Sequence, residues 1–218
     1  MAVTKISGGI YLVINPSMNE QELLEKLLKI VSSEIAAVQI WDHFPPSADI
    51  NDLVEKICEI CHQYNVPVFI NNKWQLINST EVDGIHFDNI PEDLNSIKKR
   101  LSRNSMIGIT VNNDLSVVEW AEENKLDYIS FCSIFPSTTS NSCELVTFDT
   151  IKKTRKITSM PLFLAGGIKP ENINKLKELD FDGIAVVSGI MSSNDPQNAA
   201  KNYLTELKNL SNENSNHK

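Results

Sequence analysis

Eight short β-branched runs alternate along this chain with segments of helical spacing, and few folds accommodate that order. The strand candidates are Ile10–Asn15, Ala36–Trp41, Pro67–Asn71, Asp83–Phe87, Met106–Thr110, Asp127–Cys132, Pro161–Ala165 and Asp182–Val187. Between them lie amphipathic stretches. In Asn19–Ser32, Leu23, Leu24, Leu27 and Leu28 recur at helix spacing, and Asp49–Tyr64 has a capping residue at Asp49 or Asn51. Further helices are expected at Trp74–Thr80, Pro91–Leu101, Leu115–Asn124, Phe148–Ile157, Pro170–Leu179, Ser188–Met191 and Pro196–Leu210. Eight strand–helix units suit a closed (β/α)8 barrel, the TIM-barrel form of the α/β class, better than an open sheet. Asp83-Gly84-Ile85, Asp127-Tyr128-Ile129 and Asp182-Gly183-Ile184 open three of the strands alike, as a barrel of repeated units would. A doubly wound nucleotide-binding sheet is disfavoured, because strand one runs into Asn15-Pro16-Ser17 rather than a glycine-rich turn.

One domain over 1–210 is expected, with a polar, disordered tail over 211–218. The 218 residues and 41% hydrophobic content suffice for one full core. A net charge of −8 argues against a nucleic-acid partner, since a phosphate backbone needs a basic face. No apolar run is long enough to span a bilayer, and the N-terminal apolar run is too short for a signal peptide; a cytoplasmic location follows as the expectation. The sequence admits a homodimer. Cys58-Glu59-Ile60-Cys61 has C-x-x-C form, but it lies beside the apolar stripe of a helix and reads as core.

In a barrel the active site gathers at the C-terminal ends of the strands. Two such ends invite an anion: Phe163-Leu164-Ala165-Gly166-Gly167-Ile168 and Ala185-Val186-Val187-Ser188-Gly189-Ile190. Glycine lets an oxyanion approach the main chain, and a following helical turn points unpaired N–H groups at the same place. A small phosphorylated ligand is therefore expected there. The other strand ends supply Gln39, Asn71, Thr110, Asp42, His43, His86 and Asp88 as polar candidates.

These segments resemble the thiamine phosphate synthase family and its relative, the thiazole tautomerase. The resemblance covers Ile10 to Leu204 and rests on an ordered set of segments. These are Tyr11-Leu12-Val13, Val38-Gln39, Pro67-Val68-Phe69-Ile70-Asn71, Asp83-Gly84-Ile85-His86, Ile107-Gly108-Ile109-Thr110, Ile134-Phe135-Pro136-Ser137-Thr138-Thr139, Ala165-Gly166-Gly167-Ile168 and Ala185-Val186-Val187-Ser188. It implies an enzyme of thiamine biosynthesis, coupling a hydroxymethylpyrimidine diphosphate to a thiazole phosphate with Mg2+ assisting the leaving group. Gly166, Gly167, Val187 and Ser188 would hold the thiazole phosphate. Ser137 and Thr139 would meet the thiazole, and Gln39, Asn71 and Thr110 the pyrimidine and diphosphate.

The chain also departs from the family pattern. Trp41 and His43 stand where an arginine and a lysine are expected, Ser140 where a lysine is, and Asn72 and Pro91 where two metal-binding carboxylates are. Losing one electrostatic partner of a leaving group typically costs about 3 kcal/mol of transition-state stabilisation. Asp42, His43, His86 and Asp88 are the catalytic candidates that remain, with Asn72 and Asp88 the weak metal candidates. The plainer reading makes Asp42 and Asp88 solvated loop residues, and His86 a hydrogen-bonded polar residue of the barrel mouth. Two alternatives follow: a non-catalytic or regulatory barrel that binds a thiazole or thiamine phosphate, and a thiazole isomerase. The isomerase needs a proton carrier at Asn112, where an amide cannot act as a base.

Overall fold

The computed structural model describes residues 6–31, 34–46, 48–101, 105–136 and 144–215. Eight parallel strands close into one barrel in sequence order. They are β1 (Gly9–Ile14), β2 (Ile35–Ile40), β3 (Val68–Asn71), β4 (Gly84–Phe87), β5 (Met106–Val111), β6 (Tyr128–Cys132), β7 (Leu162–Ala165) and β8 (Gly183–Val186). Pairing of Gly9 with Gly183 through Leu12 with Val186 makes the closing seam. The helices are α1 (Glu20–Ile30), α2 (Ile50–His62), α3 (Leu94–Arg100), α4 (Leu115–Glu123), α5 (Phe148–Ile157), α6 (Ser188–Met191) and α7 (Pro196–Ser215). Short 3-10 helices, Trp74–Asn78 and Pro170–Leu176, follow β3 and β7.

Alternation along each strand sends side chains to two separate cores. Outward residues such as Ile10, Leu12, Ile14, Val38 and Ile40 pack against the helices. Inward residues fill the lumen, where Tyr11, Phe69, Tyr128 and Phe163 meet as tilted and edge-on rings 5.1–5.9 Å apart. Strand glycines make room for them: a Cβ on Gly108 would fall 2.1 Å from the Tyr128 ring. Cys58 and Cys61 are buried on the inner face of α2, and burial pushes both thiols up, as a core role requires.

The recurring aspartates have one job. Asp83, Asp127 and Asp182 each exchange two hydrogen bonds with a single residue of the preceding strand. The N–H of Val68, Ile107 and Leu162 donates to the carboxylate at 2.7–2.8 Å. The aspartate N–H donates back to the same residue's carbonyl at 2.7–2.9 Å. The start of a stave leaves a main-chain donor without a ladder partner, and the carboxylate satisfies it.

Several element ends differ from the sequence reading. α3 begins at Leu94 rather than Pro91, because the Asp93 carboxylate accepts from the Ser96 N–H and caps the helix there. The segment after Pro170 is a 3-10 turn ending at Leu176. α7 continues past the expected boundary at 210 to Ser215, and the Ser211 hydroxyl donates to the Leu207 carbonyl. Among the described residues no helix is long and apolar enough to cross a membrane.

Candidate active site

The C-terminal ends of the strands surround a cavity of about 770 Å3. Gln39, Asn71, Thr110 and His86 line it, as do Asp42, His43 and Asp88 on the loops after β2 and β4. Gly166, Gly167, Val187 and Ser188 line the opposite side. The expected residues that fall within the described chain therefore converge on one site. Asn72 joins it through hydrogen bonds to two lining carboxylates. Ser137, Thr139 and Ser140 lie outside the described residues. Trp41 lines the mouth without filling it, its ring 4.6 Å from that of His43.

The β7–β8 side is built from main chain. Gly166 and Gly167 take φ of +89° and +66°, in the left-handed region that favours glycine. A Cβ on Gly167 would stand 2.5 Å from the Phe135 carbonyl oxygen. The carbonyl oxygens here are engaged elsewhere. Those of Ala165 and Gly166 accept from the N–H groups of Ile134 and Phe135, and that of Gly167 from the Asn172 amide. Tyr203, on α7, donates to the Ile168 carbonyl at 3.0 Å and anchors the loop. Repulsive oxygens are thus tied away from an anion, while α6 begins at Ser188 with no side-chain cap, and the first N–H groups of a helix have no acceptor within it. Lys169 follows the glycine pair and lines the rim; it is the only lysine or arginine of the lining among the described residues.

The floor is a hydrogen-bond chain of fixed direction. The Tyr11 hydroxyl donates to Gln39 Oε1 at 2.8 Å. Its single proton is then spent, so across the 2.7 Å contact it accepts from the Tyr128 hydroxyl. Tyr128 in turn accepts from His86 Nδ1–H at 3.0 Å. Burial pulls the His86 imidazole down to about 4, against a smaller upward pull from the Asp88 carboxylate. The ring is neutral near pH 7, and its Nε2 lone pair accepts from the Thr110 hydroxyl at 2.9 Å. In the other direction Gln39 Nε2 donates to Asn71 Oδ1 at 3.3 Å, and Asn71 Nδ2 to Asp88 Oδ1 at 3.1 Å. Burial drives the Tyr11 and Tyr128 phenols far above their usual range, so both keep their protons. Thr110 consequently turns lone pairs, not a proton, to the cavity.

Sequence reasoning missed the two tyrosines of the floor and the rim cation. Tyr11 sits inside the Tyr11-Leu12-Val13 marker, and its inward register was the available signal. Lys169 lies two residues past the glycine pair, where a cation beside an expected anion could have been noticed.

Residues 10–190 match the family model described as thiamine monophosphate synthase. The thiamine-phosphate synthase of Methanobrevibacter smithii is 27% identical over 200 residues, covering 92% of this chain and 95% of that protein. That of a strain of Prochlorococcus marinus is 32% identical over 203 residues, covering 92% of this chain but only 56% of the longer relative. Among solved structures, thiamine phosphate pyrophosphorylase from Pyrococcus furiosus superposes with a TM-score of 0.78 at 18% identity, over 93% of this chain and 96% of that one. That likeness supports the barrel; the family-model match reaches further, spanning all eight strand ends of the mouth. The chain belongs to the thiamine monophosphate synthase family.

Proposed function

We propose that this barrel binds a heterocyclic phosphomonoester of the thiamine phosphate or thiazole phosphate class. The phosphate lies on Gly166, Gly167, Val187 and Ser188, and the ring faces Gln39, Asn71 and Thr110. One observation carries the reading: the carbonyls of residues 165–167 are all engaged by other donors, beside a lysine and the start of a helix. A dianion is held in such a place by main-chain N–H groups and one ammonium. The ligand is a soluble metabolite, consistent with work in the cytoplasm.

Coupling of a pyrimidine diphosphate to the thiazole is the family reaction, and in this chain we expect it to be slow. A multiply charged leaving group needs cations around it. The side of the mouth that would receive it presents Asp42 and Asp88. The family's Mg2+ would be held by carboxylates at residues 72 and 91, and the residues present do not fit it. Asn72 points its amide N–H groups, not an oxygen, at Asp42 and Asp88, and residue 91 is proline. Among the described residues no cluster of three or more His, Cys, Asp or Glu could hold a metal ion. The isomerase alternative lacks support: His86 Nε2 is spent on Thr110, and Asn112 is an amide.

The test is a thermal-shift titration with thiamine phosphate and thiazole phosphate, beside a single-turnover coupling assay. Both phosphomonoesters are expected to stabilise the protein, and coupling to be weak or nil. Absence of any stabilisation by either would overturn the binding reading; robust turnover would overturn the expectation of slow coupling.

A further inference from the structure

The loops after β2, β3 and β4 bring Asp42, Asn72 and Asp88 to one corner of the mouth. Their contacts interlock, and Asp42 Oδ1 has His43 Nε2 at 3.8 Å. Asn72 Nδ2 donates to Asp42 Oδ2 at 3.0 Å and to Asp88 Oδ2 at 2.8 Å. Asn72 Oδ1 accepts from the main-chain N–H of Asp88 at 3.1 Å. That last contact fixes which way the amide faces: turned over, its oxygen would meet two carboxylates and its NH2 would meet an N–H donor. The other carboxylate oxygen of Asp88 is held by Asn71 at 3.1 Å. The main chain of residue 72 is held as well, its N–H donating to the His86 carbonyl at 2.9 Å.

We infer that the Asn72 amide stands between the Asp42 and Asp88 carboxylates in place of a divalent cation, so that this mouth takes its ligand without a metal. Two carboxylates on the loops that flank the β3 loop repel unless something positive lies between them. A divalent ion would cancel their charge. The two N–H dipoles of an amide hold the pair in position and leave most of the charge uncancelled. A cation entering here must displace two charge-assisted hydrogen bonds and would gain only a neutral amide oxygen as third ligand. The corner therefore keeps a negative character that disfavours a diphosphate, with or without Mg2+. This deepens the phosphomonoester reading and names what the far end of the ligand must lack, but the contacts that carry it are separate from the β7–β8 loops. Asn72 acts through the two aspartates and is a positioning residue.

The experiment compares wild type with Asn72→Asp and Asn72→Gly. Mn2+ binding is followed by electron paramagnetic resonance, and thiamine phosphate and inorganic pyrophosphate are titrated in EDTA and in Mg2+. Wild type is expected to bind no Mn2+ saturably at millimolar concentration, to ignore pyrophosphate, and to bind thiamine phosphate within about twofold equally in EDTA and Mg2+. Asn72→Asp should bind Mn2+ at least about tenfold more tightly than wild type. Its melting temperature, low without metal, should recover with Mg2+. Asn72→Gly suits the left-handed backbone and bares the two carboxylates, so it should bind Mn2+ weakly; it serves if the aspartate variant does not fold. Stoichiometric Mn2+ binding by wild type, Mg2+-dependent affinity for thiamine phosphate, or no gain of Mn2+ binding in either folded variant would overturn the inference. Failure of thiamine phosphate to bind in both EDTA and Mg2+ would instead remove the phosphomonoester reading, leaving the Mn2+ result to decide the role of Asn72.

Discussion

The two sides of the barrel mouth solve the same problem with different materials. The β7–β8 side uses main-chain atoms in left-handed glycine conformations, with carbonyls tied off behind them. The β2–β4 side uses side chains: Gln39 and Asn71 in the floor, and Asp42, Asn72 and Asp88 at the rim. A main-chain site depends on backbone shape and survives the exchange of most neighbouring side chains. A side-chain site is rewritten by single substitutions. The departures of this chain from its family that can be placed, at Trp41, His43, Asn72 and Pro91, all fall on the second side.

The largest test of that contrast is Gly167→Ala. Its Cβ would lie 2.5 Å and 2.6 Å from the carbonyl oxygens of Phe135 and Pro136 at a φ of +66°. Stability should fall by about 2–4 kcal/mol in urea titration. Thiamine phosphate binding should be lost while Asp88→Asn retains it. If Gly167→Ala binds like wild type, the main-chain side is not the anchor.

Next comes acid sensitivity, which belongs to the side-chain half. His86 titrates near its ordinary 6.5 when unfolded and near 4 when folded, because burial disfavours the cation. Between those values the unfolded chain binds more protons, so stability is complete above about 6.5 and falls as pH drops toward 4, by about 3 kcal/mol in all. His62 works oppositely: its bond to Asp83 raises it, so its contribution is present in acid and lost as pH rises through its folded value. His86→Gln should flatten the acid limb of a stability–pH curve; an unchanged limb would show that the floor histidine does not set it.

The smallest effect is Lys169→Ala. An exposed ammonium near a phosphate contributes about 0.5–1 kcal/mol, screened by salt. Thiamine phosphate affinity should fall a few-fold at low salt and converge with wild type at high salt. A loss that persists at high salt would mean that Lys169 touches the ligand in a desolvated contact.

The barrel was legible because its signals are local and repeated. The three Asp-led strand starts could be read as an echo before their exchange of hydrogen bonds was visible. The strand-end residues of the mouth were legible because the barrel places all such ends together. The two tyrosines of the floor were not. Tyr11 and Tyr128 stood only as members of strand segments, and their hydroxyls meet across 117 residues only once the barrel has closed. The Asp42–Asn72–Asp88 corner is likewise assembled from three loops. Each residue could be marked as polar at a strand end, with Asn72 and Asp88 as weak metal candidates and Asp42 and Asp88 otherwise as solvated loop residues. Which way the amide faces depends on one main-chain N–H that no pattern announces.

Residue 72 carries a further consequence through its backbone. At a φ of +56° the chain has entered a region that asparagine, aspartate and glycine occupy at little cost and bulky or β-branched residues avoid. The genetic code separates asparagine from aspartate by one nucleotide. The mouth therefore sits a single base change away from a carboxylate at this position, along a route the backbone already permits, and a saturation library at this codon should return a very short alphabet.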